Sequence, residues 1–144
     1  MHATMLMGLA LVVAAPAPKA APKKEPTLVG KWMAESYILR GKPIDVPDGA
    51  YTTFSADGTV TSQEGQTVAA RVQPYTVDAK KSPAEVDLLP TADFPGLGTL
   101  LCIYKIEGDT LTMCYSTKKR PTKFESPEDE IVFLVTLKRR VVDN

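Results

Sequence analysis

From residue 28 onward, no stretch of the chain keeps an apolar period of 3.6 residues. Short β-branched or aromatic runs recur instead, broken by glycine, proline and aspartate. The runs are Lys31 to Leu39, Ala50 to Ser55, Thr59 to Gln63, Thr67 to Val77, Ala84 to Leu89, Thr99 to Ile106, Thr110 to Ser116 and Glu130 to Lys138. They predict eight strands. Asp57-Gly58, Gly65-Gln66 and Gly108-Asp109 supply the positive-φ or turn-initiating residues that tight hairpins need, so consecutive strands are expected to run antiparallel. A meander of this length leaves two unpaired edges unless its first and last strands meet. An eight-stranded antiparallel up-and-down barrel is therefore the expected architecture. The last run agrees with a closing strand, because it is apolar on both faces at its centre: Ile131, Phe133 and Val135 on one, Val132 and Leu134 on the other.

The hairpin around Gly108-Asp109 is the best specified. A two-residue loop sets Glu107 opposite Thr110 and collects Cys102, Tyr104, Ile106, Leu111, Met113 and Tyr115 on one face. A three-residue loop would instead set Cys102 opposite Cys114. The first register is preferred because it segregates the apolar residues, and it points the two cysteines to opposite faces, where they cannot bond within one molecule. Two readings of the cysteines stay open: one disulfide, as exported chains commonly form, or two half-buried free thiols, which the register favours. There is no Cys-x-x-Cys, so neither reading makes them redox-catalytic.

The start of the chain, residues 1 to 14, reads as a secretory signal peptide. Its apolar run from Met5 to Val13 is too short for the roughly 20 residues of a membrane helix. Val12 and Ala14 suit cleavage after Ala14. Residues 15 to 27 form a spacer rich in proline, alanine and lysine that cannot bury a core, and the folded domain is expected over 28 to 144. Secretion or periplasmic residence follows as the expectation. The whole chain has 17 basic and 17 acidic side chains. Without Lys19, Lys23, Lys24 and Glu25, 14 basic and 16 acidic side chains remain, which argues against a nucleic-acid partner.

The single histidine, His2, lies in the leader. The domain therefore lacks the residue that Ser-His-Asp catalysis, histidine-based zinc sites and imidazole acid–base chemistry require, and two cysteines cannot complete a thiolate metal site. Carboxylate chemistry needs only two positioned acids. Glu85, Asp87, Glu107, Asp109 and the run Glu128-Asp129-Glu130 are available, but they sit beside turns or at strand ends, where solvated acids are ordinary. No enzyme, metal or cofactor is expected. The run KKRPTK at 118 to 123 could receive an anion, but reads more readily as a solvated loop balanced by Glu125, Glu128, Asp129 and Glu130. Trp32, the only tryptophan, is expected to carry Arg139 or Arg140 over its ring and close one end of the barrel.

Several of these segments carry a family signal. L-x-G-x-W at Leu28, Gly30 and Trp32, SPAEVDL at 82 to 88, IYKIEGDTL at 103 to 111, MCY at 113 to 115, RPTKF at 120 to 124 and LKR at 137 to 139 stand in order along the domain. In these the chain resembles a family of small secreted lipocalin-like domains, abundant in planctomycete bacteria, to which no activity is assigned. Cys102 departs from it, since the family prefers glycine there. The resemblance implies a lipocalin/calycin-like barrel, with Gly30, Trp32 and Arg139 structural and with Arg120, Pro121 and Phe124 a signature of unknown role. Two functional expectations follow. One is an interior that binds a small apolar ligand, lined by Tyr104, Ile106, Leu111, Met113 and Tyr115. The other is a filled barrel that serves as an extracytoplasmic protein-interaction or structural module.

Overall fold

A computed structural model describes residues 27–65, 69–93, 96 and 98–140, so the leader and most of the spacer lie outside the described residues. Among the described residues nine strands follow in chain order: β1 (Gly30–Leu39), β2 (Lys42–Ile44), β3 (Tyr51–Phe54), β4 (Thr59–Gln63), β5 (Arg71–Asp78), β6 (Ala84–Leu88), β7 (Leu100–Glu107), β8 (Thr110–Ser116) and β9 (Phe133–Arg139). Every pairing is antiparallel, and β9 returns to pair with β1 from Trp32↔Arg139 to Leu39↔Phe133. Eight strands thus close a lipocalin-like up-and-down barrel. Among the described residues there is no helix long and apolar enough to cross a membrane.

The eight-stranded barrel is as expected, and a ninth strand, which the sequence did not predict, lies beside it. On its edge away from β9, β1 pairs with β3 through Gly30 to Met33 and with β2 through Tyr37 to Leu39. The short β2 is a spur on the barrel wall. It reads poorly from sequence because it has three residues, one of them Pro43, which cannot donate to a ladder. A second irregularity lies within β1, where the pairing with β9 shifts between Ala34 and Ser36. That bulge inserts Glu35, and the inward positions change from Trp32 and Ala34 to Tyr37. A strict period of two cannot describe this strand.

The barrel interior is occupied by side chains. Trp32, Phe54, Val60 and Leu111 are completely buried, and Val86, Cys102, Met113 and Leu137 pack with them. Each large apolar side chain so buried contributes about 1.5–3 kcal/mol of transfer free energy. Phe54 meets Tyr75 edge-on at 5.1 Å, and the Tyr75 hydroxyl donates to the Ser55 carbonyl at 2.8 Å. This interior group seals the end where β1 begins and β9 finishes.

At that end Arg139 lies over the Trp32 ring, with Cζ 4.1 Å from the centroid. Its guanidinium donates to the carbonyls of Val29 at 3.0 Å and Thr27 at 2.9 Å, while the indole N–H donates to Leu28 at 2.8 Å. Of the two arginines considered for this place, Arg139 fills it. Gly30 makes the approach possible. Its φ of +136° disfavours other residues, and a Cβ there would sit 2.7 Å from Arg139 Nη1.

A smaller apolar cluster covers the outside of β7, β8 and β9. Ile103, Cys114 and Val132 are buried there, with Phe124 and Leu134 packed against them. Phe124 comes from the connection between β8 and β9, which therefore folds back over the wall. The opposite end of the barrel carries this connection and the other long ones, between β4 and β5 and between β6 and β7.

Candidate functional site

The β7–β8 hairpin places the five candidate lining residues. Glu107 opposes Thr110, Ile106 opposes Leu111, Tyr104 opposes Met113 and Cys102 opposes Tyr115, which is the register of a two-residue Gly108-Asp109 loop. All five belong to the interior cluster or pack on it. Burial pushes the phenols of Tyr104 and Tyr115 above their ordinary range, so both stay protonated at neutral pH. Tyr115 also stacks on Phe133 at 5.2 Å.

Little space remains between these side chains. A cavity of about 50 Å³ lies inside the barrel toward the end with the long connections. Met113 and Tyr115 border it, together with Tyr37, Leu88 and Leu100, whereas Tyr104, Ile106 and Leu111 do not. Its rim is polar. Arg71 Nε donates to Gln73 Oε1 at 3.0 Å and Arg71 Nη1 lies 3.6 Å from Glu64. The buried Gln73 amide donates to the Leu89 carbonyl at 2.8 Å. Sequence reasoning missed Arg71 and Gln73 because β5 inverts the usual pattern, turning them inward and leaving Val72 half exposed. The alternation Arg71, Gln73, Tyr75 was the available signal.

A larger space lies outside the wall. The connection after β8 and the turn after β1 enclose a cleft of about 560 Å³. Arg120 anchors this connection: Nη1 donates to the Cys102 carbonyl at 2.9 Å and stands 2.6 Å from Asp87 Oδ1, and Nε stands 3.5 Å from Glu85 Oε1. Asp87 Oδ1 is buried and has no other partner among the described residues, so the arginine charge is what compensates it. Pro121 lines the cleft, and Phe124 packs on the wall with Lys105 Nζ 4.9 Å from its ring centroid. Arg120 and Phe124 thus fasten a strap over β6, β7 and β8.

The cleft is lined by Lys118, Lys119, Arg120 and Lys123 of the strap and by Arg40 of the β1–β2 turn. Glu125, Asp129 and Glu130 line it too, and Ile131 and Val132 add apolar surface. The expectation of a basic loop balanced by its downstream acids needs refinement. The charges share one space, yet among the described residues no ion pair joins them.

Two acids considered for carboxylate chemistry, Glu85 and Asp87, are held by Arg120, and Glu107 lies 3.5 Å from Lys105. Cys102 and Cys114 are both buried free thiols on opposite faces of the wall. Burial raises both thiols, Cys102 more strongly, and Cys114 donates to the Glu125 carbonyl at 3.3 Å. No family model matches the chain, and no curated protein matches it at a significant level.

Proposed function

We propose that the chain is an exported, non-catalytic lipocalin-like module whose barrel is filled and whose binding takes place on its outer surface. The observation that carries this reading is that the cavity bordered by Met113 and Tyr115 measures only about 50 Å³. Small-molecule sites commonly need about 300–1,000 Å³. A space that size takes ordered water, not an apolar ligand. Export rests on the apolar leader from Met5 to Val13, and the family resemblance to small secreted domains agrees with it.

A second reading, a carrier of one small ligand, draws on the rim of the same space. Tyr37, Tyr115 and Arg71 would meet the polar end of a ligand whose apolar part displaced Met113 and Leu88. Native mass spectrometry of the processed protein from its own secreted fraction, before and after denaturation, separates the two. The filled module predicts the same bare polypeptide mass in both states, beginning near Ala15. A small molecule lost on denaturation supports the carrier, and retention of Met1 overturns export.

A further inference from the structure

The strap carries Lys118, Lys119, Arg120 and Lys123 and then Glu125, Glu128, Asp129 and Glu130. Opposite charges so close in sequence would ordinarily meet, but Arg120 reaches instead to β6, and the remaining lysines pair with none of these acids among the described residues. The cleft of about 560 Å³ accounts for this, since bases and acids of both kinds line it without closing it. The volume falls within the ordinary range for a small-molecule site.

Arg40 is the second observation. It is the first residue of the two-residue loop between β1 and β2, where its φ of +54° and the +77° of Gly41 are the left-handed pair that so tight a hairpin requires. The turn is clamped to the strap: Gly41 N donates to Ser126 Oγ at 3.3 Å, and Ser126 Oγ donates to the Val132 carbonyl at 2.8 Å. Arg40, on a turn so fixed and without an ion-pair partner among the described residues, lines the cleft.

We propose that this cleft binds a small zwitterion of the amino-acid type, a free amino acid or a dipeptide. The Arg40 guanidinium receives its carboxylate in the paired geometry arginine offers, and Asp129 and Glu130 receive its ammonium group. A simple anion would face the carboxylates of Glu125, Asp129 and Glu130, and a simple cation would face the lysines; a ligand with both charges is complementary to the whole lining. The exposed Ile131 and the Val132 beside it provide surface for an apolar side chain. This site is independent of what the barrel interior holds.

The test uses the full processed chain and alanyl-leucine as probe, followed by amide and methyl NMR shifts of Thr117, Thr122 and Ile131. Saturable shifts are expected with the free dipeptide, and its N-acetylated and C-amidated forms should bind at least about tenfold more weakly, since each loses one charged hydrogen-bonding group. Arg40→Asn and Asp129→Asn should each cost about tenfold in affinity. Arg40→Asn should leave the thermal midpoint unchanged or higher, because asparagine tolerates the left-handed turn. No saturable shift, equal binding of either blocked dipeptide or of citrate, or full binding by Arg40→Asn would each overturn the proposal. None of these outcomes bears on the filled interior, which the native mass measurement tests separately.

Discussion

Arg120 Nη1 stands 2.6 Å from Asp87 Oδ1, and this contact carries the connection between β8 and β9 across the outside of β7 to β6. The same nitrogen donates to the Cys102 carbonyl on the strand between. One side chain thus ties a long connection to two strands that precede it by many residues. The arrangement turns a loop that would otherwise be solvated into a wall of the cleft.

Removing the anchor leaves the buried Oδ1 of the partly exposed Asp87 carboxylate uncompensated. Arg120→Ala is expected to lower the unfolding free energy by about 1–3 kcal/mol, the scale of a charged hydrogen bond. In a urea double-mutant cycle with Asp87→Asn the two losses should fall well short of adding. Additive losses would mean that Arg120 acts through something other than Asp87.

How far the sequence revealed these features depends on how local their causes are. The β7–β8 hairpin was fully legible, down to Glu107 opposite Thr110, because a Gly-Asp turn and six segregating apolar residues specify register within one short segment. Closure of β9 on β1 followed from the need to remove edges. The bulge at Glu35 was not legible, since it breaks the alternation on which strand reading depends. The partners of Arg120 lie on β6, and nothing near RPTKF in the sequence points to Glu85 or Asp87. Arg40 was missed for a similar reason: its turn gains meaning only when Ser126 brings the strap to Gly41.

Gly30 tests the closed end of the barrel. Gly30→Ala places a Cβ 2.7 Å from Arg139 Nη1 at a φ of +136°, and a loss of about 1–3 kcal/mol is expected. Arg139→Ala alone should cost less, about 0.5–2 kcal/mol for the cation over Trp32. The double variant should lose less than the two single losses combined, because the clash disappears with Arg139. Thermal unfolding of the three variants measures this.

The thiols provide a pH-dependent prediction. Burial raises the folded-state values of Cys102 and Cys114, so their protonated forms are favoured by folding. The stability this contributes is complete below the unfolded thiol range near 8.5 and declines as pH rises above it. Native protein at pH 8 should react with a thiol reagent only at the rate of its opening, and an oxidising buffer should produce no intramolecular disulfide by mass. Rapid labelling of Cys102 would contradict its burial, and a mass lower by two hydrogens would contradict the opposed faces of the hairpin.

The filled interior is tested most directly at Met113, which is buried among Leu88, Leu100, Tyr115 and Val135 and borders the residual cavity. Unfolding of Met113→Ala in urea, compared with the parent protein, should show a loss of about 2–5 kcal/mol, as expected when a packed core side chain is deleted. The parent protein should take up no apolar fluorescent probe. A loss below about 1 kcal/mol, together with saturable probe uptake by the parent protein, would contradict the filled barrel and make Met113 part of a ligand cavity.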